Sequence, residues 1–325
     1  MNPLLSIEDL HVRFSSHGKK IYAVSGVNLC LYPGEILGIV GESGCGKSAT
    51  AKAIMRLLPS HSAELSGKVI YQDNNLLELS EKQMRRLRGK EIGMIFQDPM
   101  TSLNPTLKIG MQIIEGYRKH HPEVRFTEAL EYAINMLHLV GIANPSARVL
   151  EYPHTLSGGM RQRVMIAIAL ACKPKILIAD EPTTSLDVTI QAQILHLLKE
   201  IQKKTGTSMM LITHDLSVIA GICDRVLVMY GGKVVESGPV NELFYNPRHP
   251  YTQKLIQAIP SINRPTNIPL LSIPGNPPQL HRPPTGCAFA PRCDHAMKIC
   301  LQTPPNQTTV GSDHHSCCWI HEKRQ

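Results

Sequence analysis

One short stretch constrains this chain more than any other. Gly41-Glu42-Ser43-Gly44-Cys45-Gly46-Lys47-Ser48 fits the pattern Gly-x-x-x-x-Gly-Lys-Ser without exception. An apolar run, Glu35 to Val40, leads into it, and Ala49 to Leu58 follows with helical character until Pro59. Glycines at these places let the backbone fold round an anion so that successive N–H groups point inward. The helix behind presents its positive end to the same anion. Gly41, Ser43, Gly44, Cys45, Gly46 and Ala49 are expected to line the cradle. Lys47 would reach the β- and γ-phosphates of ATP, and Ser48 would ligate Mg²⁺. A chance glycine turn is the plain alternative, but the strand before and helix after are the context a phosphate loop requires.

Strand patterns flank this loop. Leu4 to Phe14 and Ile21 to Leu31 alternate, with a polar turn at Ser15 to Lys20 containing Gly18 and another turn at Pro33-Gly34. Ser80-Glu81-Lys82-Gln83 has capping-box spacing, so a helix is expected to start there. Glu91 to Phe96 reads as a strand. From Pro105 to about Cys172 helical periodicity dominates, which predicts a helical insertion. Strands return at Lys175 to Asp180, Ser208 to Thr213 and Arg225 to Tyr230, with a helix over Val188 to Lys204. Alternating strands and helices imply an α/β fold with a mostly parallel sheet.

Composition narrows the classes. A formal charge of +8 suits phosphate ligands, nucleic acid or anionic surfaces alike, but no Lys/Arg block interleaved with aromatics favours nucleic acid. The longest apolar stretch, Val164 to Cys172, is far short of the roughly 18 to 20 residues of a membrane-spanning helix. With no secretion signal to be seen, a cytosolic chain is expected, its nine cysteines reduced, metal-bound or buried rather than disulfide-bonded.

The apolar run Ile176 to Ala179 ends in Asp180, followed by Glu181. A carboxylate at the end of a buried strand suits a Mg²⁺ contact, and its neighbour is placed to orient or deprotonate an attacking water. These acids and the phosphate loop still leave kinases, GTPases, helicases and motors open. Leu156-Ser157-Gly158-Gly159-Met160 decides between them. With the phosphate loop, Gln97, Asp180-Glu181, Ser185-Leu186-Asp187 and His214, it resembles, in order and spacing over about residues 4 to 245, the nucleotide-binding subunit of ABC transporters.

The resemblance implies a P-loop NTPase (RecA-like) core with an antiparallel β subdomain and a helical subdomain at about 97–172. An ATPase domain of 1–245 would be followed by a small irregular C-terminal extension, 246–325. It implies that Phe14, or less plausibly Tyr22, stacks on adenine; either is otherwise plain core. Gln97 would sense Mg²⁺ and the attacking water, and Glu181 and His214 would be catalytic. Ser157, Gly158 and Gly159 would contact the γ-phosphate held by another subunit in a sandwich dimer, and Asp187 would couple the two sites. Met160 stands where the family usually has Gln.

Gln97-Asp98-Pro99-Met100-Thr101-Ser102-Leu103-Asn104-Pro105 and Arg248-His249-Pro250-Tyr251-Thr252 are similar to the dipeptide and oligopeptide importer branch, which also holds nickel and other small-solute systems. That resemblance implies two permease subunits, a paralogous ATPase subunit, an extracytoplasmic solute-binding protein and a peripheral place on the cytoplasmic face of the inner membrane. The rival class is a soluble ABC ATPase acting on nucleic acid or ribosomes. Such proteins usually fuse two cassettes, and one phosphate loop occurs here.

After Phe244, a proline-rich strap (Pro260, Pro265, Pro269, Pro274, Pro277, Pro278, Pro283, Pro284) precedes Cys287, Cys293, Cys300, Cys317 and Cys318. Prolines so placed exclude regular helix or central strand. So short a segment has too little apolar content for its own core, so a metal centre would supply the cross-link. Zinc and a [4Fe–4S] cluster both accept four thiolates, and unliganded thiols are the alternative. Resemblance to dipeptide-type subunits favours the cluster, on Cys287, Cys293, Cys300 and Cys318. Cys318-Trp319 looks like the family's ending, with Cys317 a neighbour.

Overall fold

Alternation builds the first strands. In the computed structural model, which describes residues 2–16, 19–184, 186–259 and 272–322, β1 (Leu5–Ser16) and β2 (Lys19–Leu31) pair antiparallel, with Val12 opposite Val24. They reach further into the expected polar turn than the pattern suggested, and Gly18 itself lies outside the described residues. All five residues of β3 (Ile36–Val40) are buried. After the phosphate loop, α1 spans Lys47–Ile54. It stops at Met55 and at Arg56, whose φ is 48°, rather than running on to Pro59. β4 (Ala63–Tyr71) pairs with the other side of β1, and β5 (Asn74–Asn75) completes the antiparallel order β2-β1-β4-β5. The sequence pattern carries no sign of β4, whose alternation is broken by Gly67. That glycine is required: a Cβ there would stand 2.3 Å from the carbonyl oxygen of Asp9, where β1 shifts register.

The chain divides into two compact units, one of Met1–Tyr32, Ile36–Glu78 and Thr213–Gln325, the other of Pro33–Glu35 and Leu79–Ile212. The second unit opens with α2 (Glu81–Leu87), capped by Ser80 and Gln83 in the reciprocal box. β6 (Ile92–Ile95) leads into α3 (Pro99–Ser102), α4 (Ile109–His120), α5 (Phe126–Leu139), α6 (Pro145–Arg148) and α7 (Gly158–Leu170), which form the expected helical insertion. Ile113, Ala133, Leu137 and Val164 are the buried faces of this helical layer. β7 (Ile176–Asp180), α8 (Val188–Thr205) and β8 (Ser208–Thr213) follow. β6, β7 and β8 run parallel, with Met94 opposite Ile178 and Ile178 opposite Met210. Every residue of these strands is buried, as expected of parallel strands covered on both faces.

The first unit resumes with α9 (Leu216–Ile222), β9 (Arg225–Tyr230), β10 (Lys233–Pro239), α10 (Val240–Tyr245) and α11 (Pro250–Gln257). β9 lies parallel to β3, and β10 turns back antiparallel to β9. Of the proline strap, Pro260, Pro265 and Pro269 lie outside the described residues. Among the described residues of the tail, a 3-10 turn (Ala290–Arg292), α12 (Lys298–Gln302) and the pair β11 (Thr308–Gly311) and β12 (His314–Ser316) are regular, and β12 adds to the edge of β10. A buried carboxylate holds it there. Glu236 accepts from the Arg248 N–H at 2.6 Å, the His249 N–H at 2.9 Å and His314 Nε2 at 2.7 Å. A carboxylate so desolvated is tolerable only with its lone pairs occupied.

Candidate nucleotide site

In the first unit the phosphate loop joins the end of β3 to the start of α1. Two of its three glycines answer to close packing. A Cβ on Gly41 would stand 2.1 Å from the Met229 carbonyl oxygen, and one on Gly46, where φ is 105°, would stand 2.4 Å from that of Ala23. Gly46 caps α1 without a side chain, which leaves the first N–H groups directed at the loop. Lys47 is buried, and its ammonium donates to the carbonyl oxygens of Gly41 at 2.7 Å and Glu42 at 3.1 Å. Ser43 and Gly44 are exposed, Cys45 is buried, and Ser48 and Ala49 are half-buried. Phe14, half-buried on β1, pairs with Ile21 and Ala63. Tyr22 already carries the Arg13 guanidinium over its ring at 5.6 Å. His214 is exposed between β8 and α9, and the neighbouring Asp215 caps α9 through the Ser217 N–H.

The second unit brings together the other catalytic candidates. Asp180, at the end of β7, is buried. Glu181 takes φ 48°, an uncommon conformation for a residue with a side chain, and its N–H donates to the Ile212 carbonyl at 2.9 Å. The Glu181 carboxylate accepts from Gln97 Nε2 at 2.9 Å and from Thr184 Oγ1 at 2.8 Å. Sequence reasoning missed Thr184, which belongs to no motif read there. The pair it forms with Gln97 aims one oxygen, Oε2, and leaves the carboxylate oriented.

Ser157 caps α7 by accepting from the Met160 N–H at 3.3 Å, so Met160 does not disturb the helix start. Gly159 packs against Ile190, whose Cγ2 would stand 2.8 Å from an added Cβ, and Gly158 faces Leu186 at 3.7 Å. Asp187 caps α8 through the Ile190 N–H at 2.9 Å; its neighbour Ser185 lies outside the described residues. Arg161 donates to the Pro153 carbonyl and to Met100 Sδ, tying the signature helix to the segment after Gln97.

This geometry matches known proteins. The family model described as "ABC transporter" matches residues 24–184, and that of the "Oligopeptide/dipeptide transporter, C-terminal region" matches 235–300. The dipeptide transport ATP-binding protein DppD of Bacillus subtilis (strain 168) is 50% identical over 100% of this chain and 96% of its own length. The oligopeptide transport ATP-binding protein OppD of the same organism is 52% identical over 98% of this chain and 88% of its own. This chain is an ATP-binding subunit of the dipeptide and oligopeptide ABC transporter family. Among solved structures, the post-hydrolysis dimer of the ATP-binding cassette MJ0796 with ADP and Pi aligns at TM-score 0.65 and 27% identity, covering 73% of this chain and 98% of that one. As an ABC ATPase the subunit hydrolyses ATP in transport. No helix among the described residues is long and apolar enough to cross a membrane.

The tail cysteines gather round a small cavity. Cys287, Cys293, Cys300 and Cys318 line one cavity of about 20 Å³, walled by Phe289, Trp319 and His249 among others. Cys317 points its N–H to the Val235 carbonyl at 2.8 Å, in the strand pairing. Burial pushes the Cys318 thiol up to about 11 and raises those of Cys287 and Cys293. His249 accepts from the Tyr251 N–H through Nδ1 at 3.1 Å, which makes Nε2 the protonated nitrogen. Among the described residues that buried Nε2 has no hydrogen-bond partner. Among the described residues, no three His, Cys, Asp or Glu stand together as ligands of one metal ion.

Proposed function

We propose that this ABC subunit energises uptake of dipeptides or oligopeptides across the cytoplasmic membrane, binding MgATP through Gly41 to Ala49 and hydrolysing it with Glu181 as the base. The observation that carries the catalytic part is the Glu181 carboxylate held by both Gln97 and Thr184. Ser48, Gln97 and Asp180 would hold Mg²⁺, Phe14 would stack on adenine, and His214 would contact the γ-phosphate. Ser157, Gly158 and Gly159 would serve a nucleotide on a paralogous ATPase subunit. Two permease subunits and an extracytoplasmic binding protein complete the transporter, and the chain sits on the cytoplasmic face. Peptide as cargo rests on the names of relatives; nickel or another small solute is the alternative within the branch. Glu181→Gln keeps the side chain's shape, so it should retain ATP binding in the assembled transporter and lower turnover at least about a hundredfold. Parental turnover in that variant overturns the assignment of the base.

The same reading gives the tail a [4Fe–4S] cluster on Cys287, Cys293, Cys300 and Cys318. Four thiols line one cavity and suit such a group in donor type, but no three of them stand together as ligands of one ion. The room in this packing, about that of one water, requires the cysteine loops to part around a cluster. The group would act as a cross-link, with no part in hydrolysis. Anaerobically purified protein should be brown and lose its colour in Cys287→Ser or Cys300→Ser. Colourless protein with stoichiometric zinc decides for zinc.

A further inference from the structure

Glu42 is the second residue of the phosphate loop, and it is half-buried. It is not left to solvent. Arg292, from the middle of the cysteine tail, meets it with both terminal nitrogens: Nη1 donates to Oε2 at 2.6 Å and Nη2 to Oε1 at 3.0 Å. The rest of the guanidinium is committed as well. Nε donates to the Pro274 carbonyl at 2.8 Å, Nη2 also to that of Ile273 at 3.1 Å, and Nη1 also to Tyr230 Oη at 3.2 Å. Five bonds use all five N–H donors an arginine owns. The Arg292 side chain is 5% exposed and that of Glu42 24%, so water screens this pair far less than a surface pair. A second tail contact grips the backbone at the same residue: the Glu42 N–H donates to Tyr251 Oη at 2.9 Å, and Tyr251 packs on Tyr230 and Phe289.

We propose that Arg292 is a positioning residue for ATP binding: through the Glu42 carboxylate it holds the start of the phosphate loop in shape. The proposal rests on the assignment of Gly41 to Ser48 as the phosphate loop, and on nothing about what the cysteines hold. It makes the C-terminal extension part of the nucleotide site. Lys47 sits on the carbonyl of the same residue, Glu42, so the conformation that Arg292 and Tyr251 stabilise is also the one that seats the phosphate-binding ammonium.

The alternative is that Arg292 only anchors the tail. A double-mutant cycle on the full chain separates the two, read by equilibrium titration with MgATP and by KM and kcat in the assembled transporter. Arg292→Ala should raise the ATP Kd and the KM about tenfold, with kcat changed much less. Arg292→Lys should recover only part, because an ammonium cannot bond both carboxylate oxygens in a fixed fork. In a Glu42→Ala background, Arg292→Ala should cost less than half as much in log Kd as it does in the parent. If Arg292→Ala is folded and binds ATP like the parent, or costs as much without Glu42 as with it, the proposal fails. Should Arg292→Ala not fold, Glu42→Gln still decides: it keeps the side chain's shape and one acceptor for the buried Arg292 but breaks the two-oxygen fork, and it should weaken ATP binding several-fold, whereas parental affinity overturns the proposal. Lys47→Ala is the control. If it binds ATP as the parent does, the fault lies in the phosphate-loop assignment and not in Arg292.

Discussion

Glu181 shows how one residue is made ready. Its φ of 48° is sterically disfavoured for a side chain of this size, and such strain persists only where neighbours over-determine it. Here the backbone is tied to Ile212 and the carboxylate to Gln97 and Thr184. Thr184→Val keeps the shape and removes one donor to the carboxylate. Hydrogen bonds to charged groups contribute about 1.5–3 kcal/mol, so turnover should fall roughly tenfold while the ATP KM stays near the parental value. A variant with parental turnover would show that Gln97 alone suffices.

At the scale of an element, α11 illustrates a cap that titrates. His249 Nδ1 accepts from the Tyr251 N–H at the start of the helix, a bond that only the neutral ring can make. Burial depresses the His249 pKa from 6.5 to about 3. The folded state therefore binds fewer protons than the unfolded one between these values, and stability is complete above about 6.5 and lost as pH falls toward 3. The loss is on the order of a few kcal/mol. His249→Asn retains a capping acceptor without titrating, so denaturant unfolding of that variant should show a flatter pH profile across this window. An unchanged profile would assign the acid sensitivity elsewhere.

Across the whole molecule, the tail is held to the first unit by buried charge as much as by strand pairing. His314 and Glu236 are 1% and 0% exposed and meet at 2.7 Å. Removing His314 takes one of three donors from the buried Glu236 carboxylate, which costs about 1.5–3 kcal/mol. His314→Ala should therefore release the tail, seen as faster proteolysis beyond β10 and a lower urea midpoint. Proteolysis at the parental rate would show that β12 is held by its backbone alone.

The sequence by itself determined the family, the phosphate loop, the signature and the two acids at the end of β7, because phosphate chemistry depends on short contiguous patterns of glycine, lysine and carboxylate. It also determined the helical insertion and the capping box of α2, whose signals lie within one or two turns of chain. Other features were decided only by tertiary structure. β4 and β12 exist through their partners, since Gly67 and the short run His314–Ser316 carry little strand signal alone. Thr184 reached Glu181 through a tight turn that no motif records. Arg292 stands 250 residues from Glu42, and His314 stands 78 from Glu236. A charge leaving water needs a partner of fitting geometry, and the folded chain can supply that partner from any distance along the sequence, so such pairs leave no spacing to read.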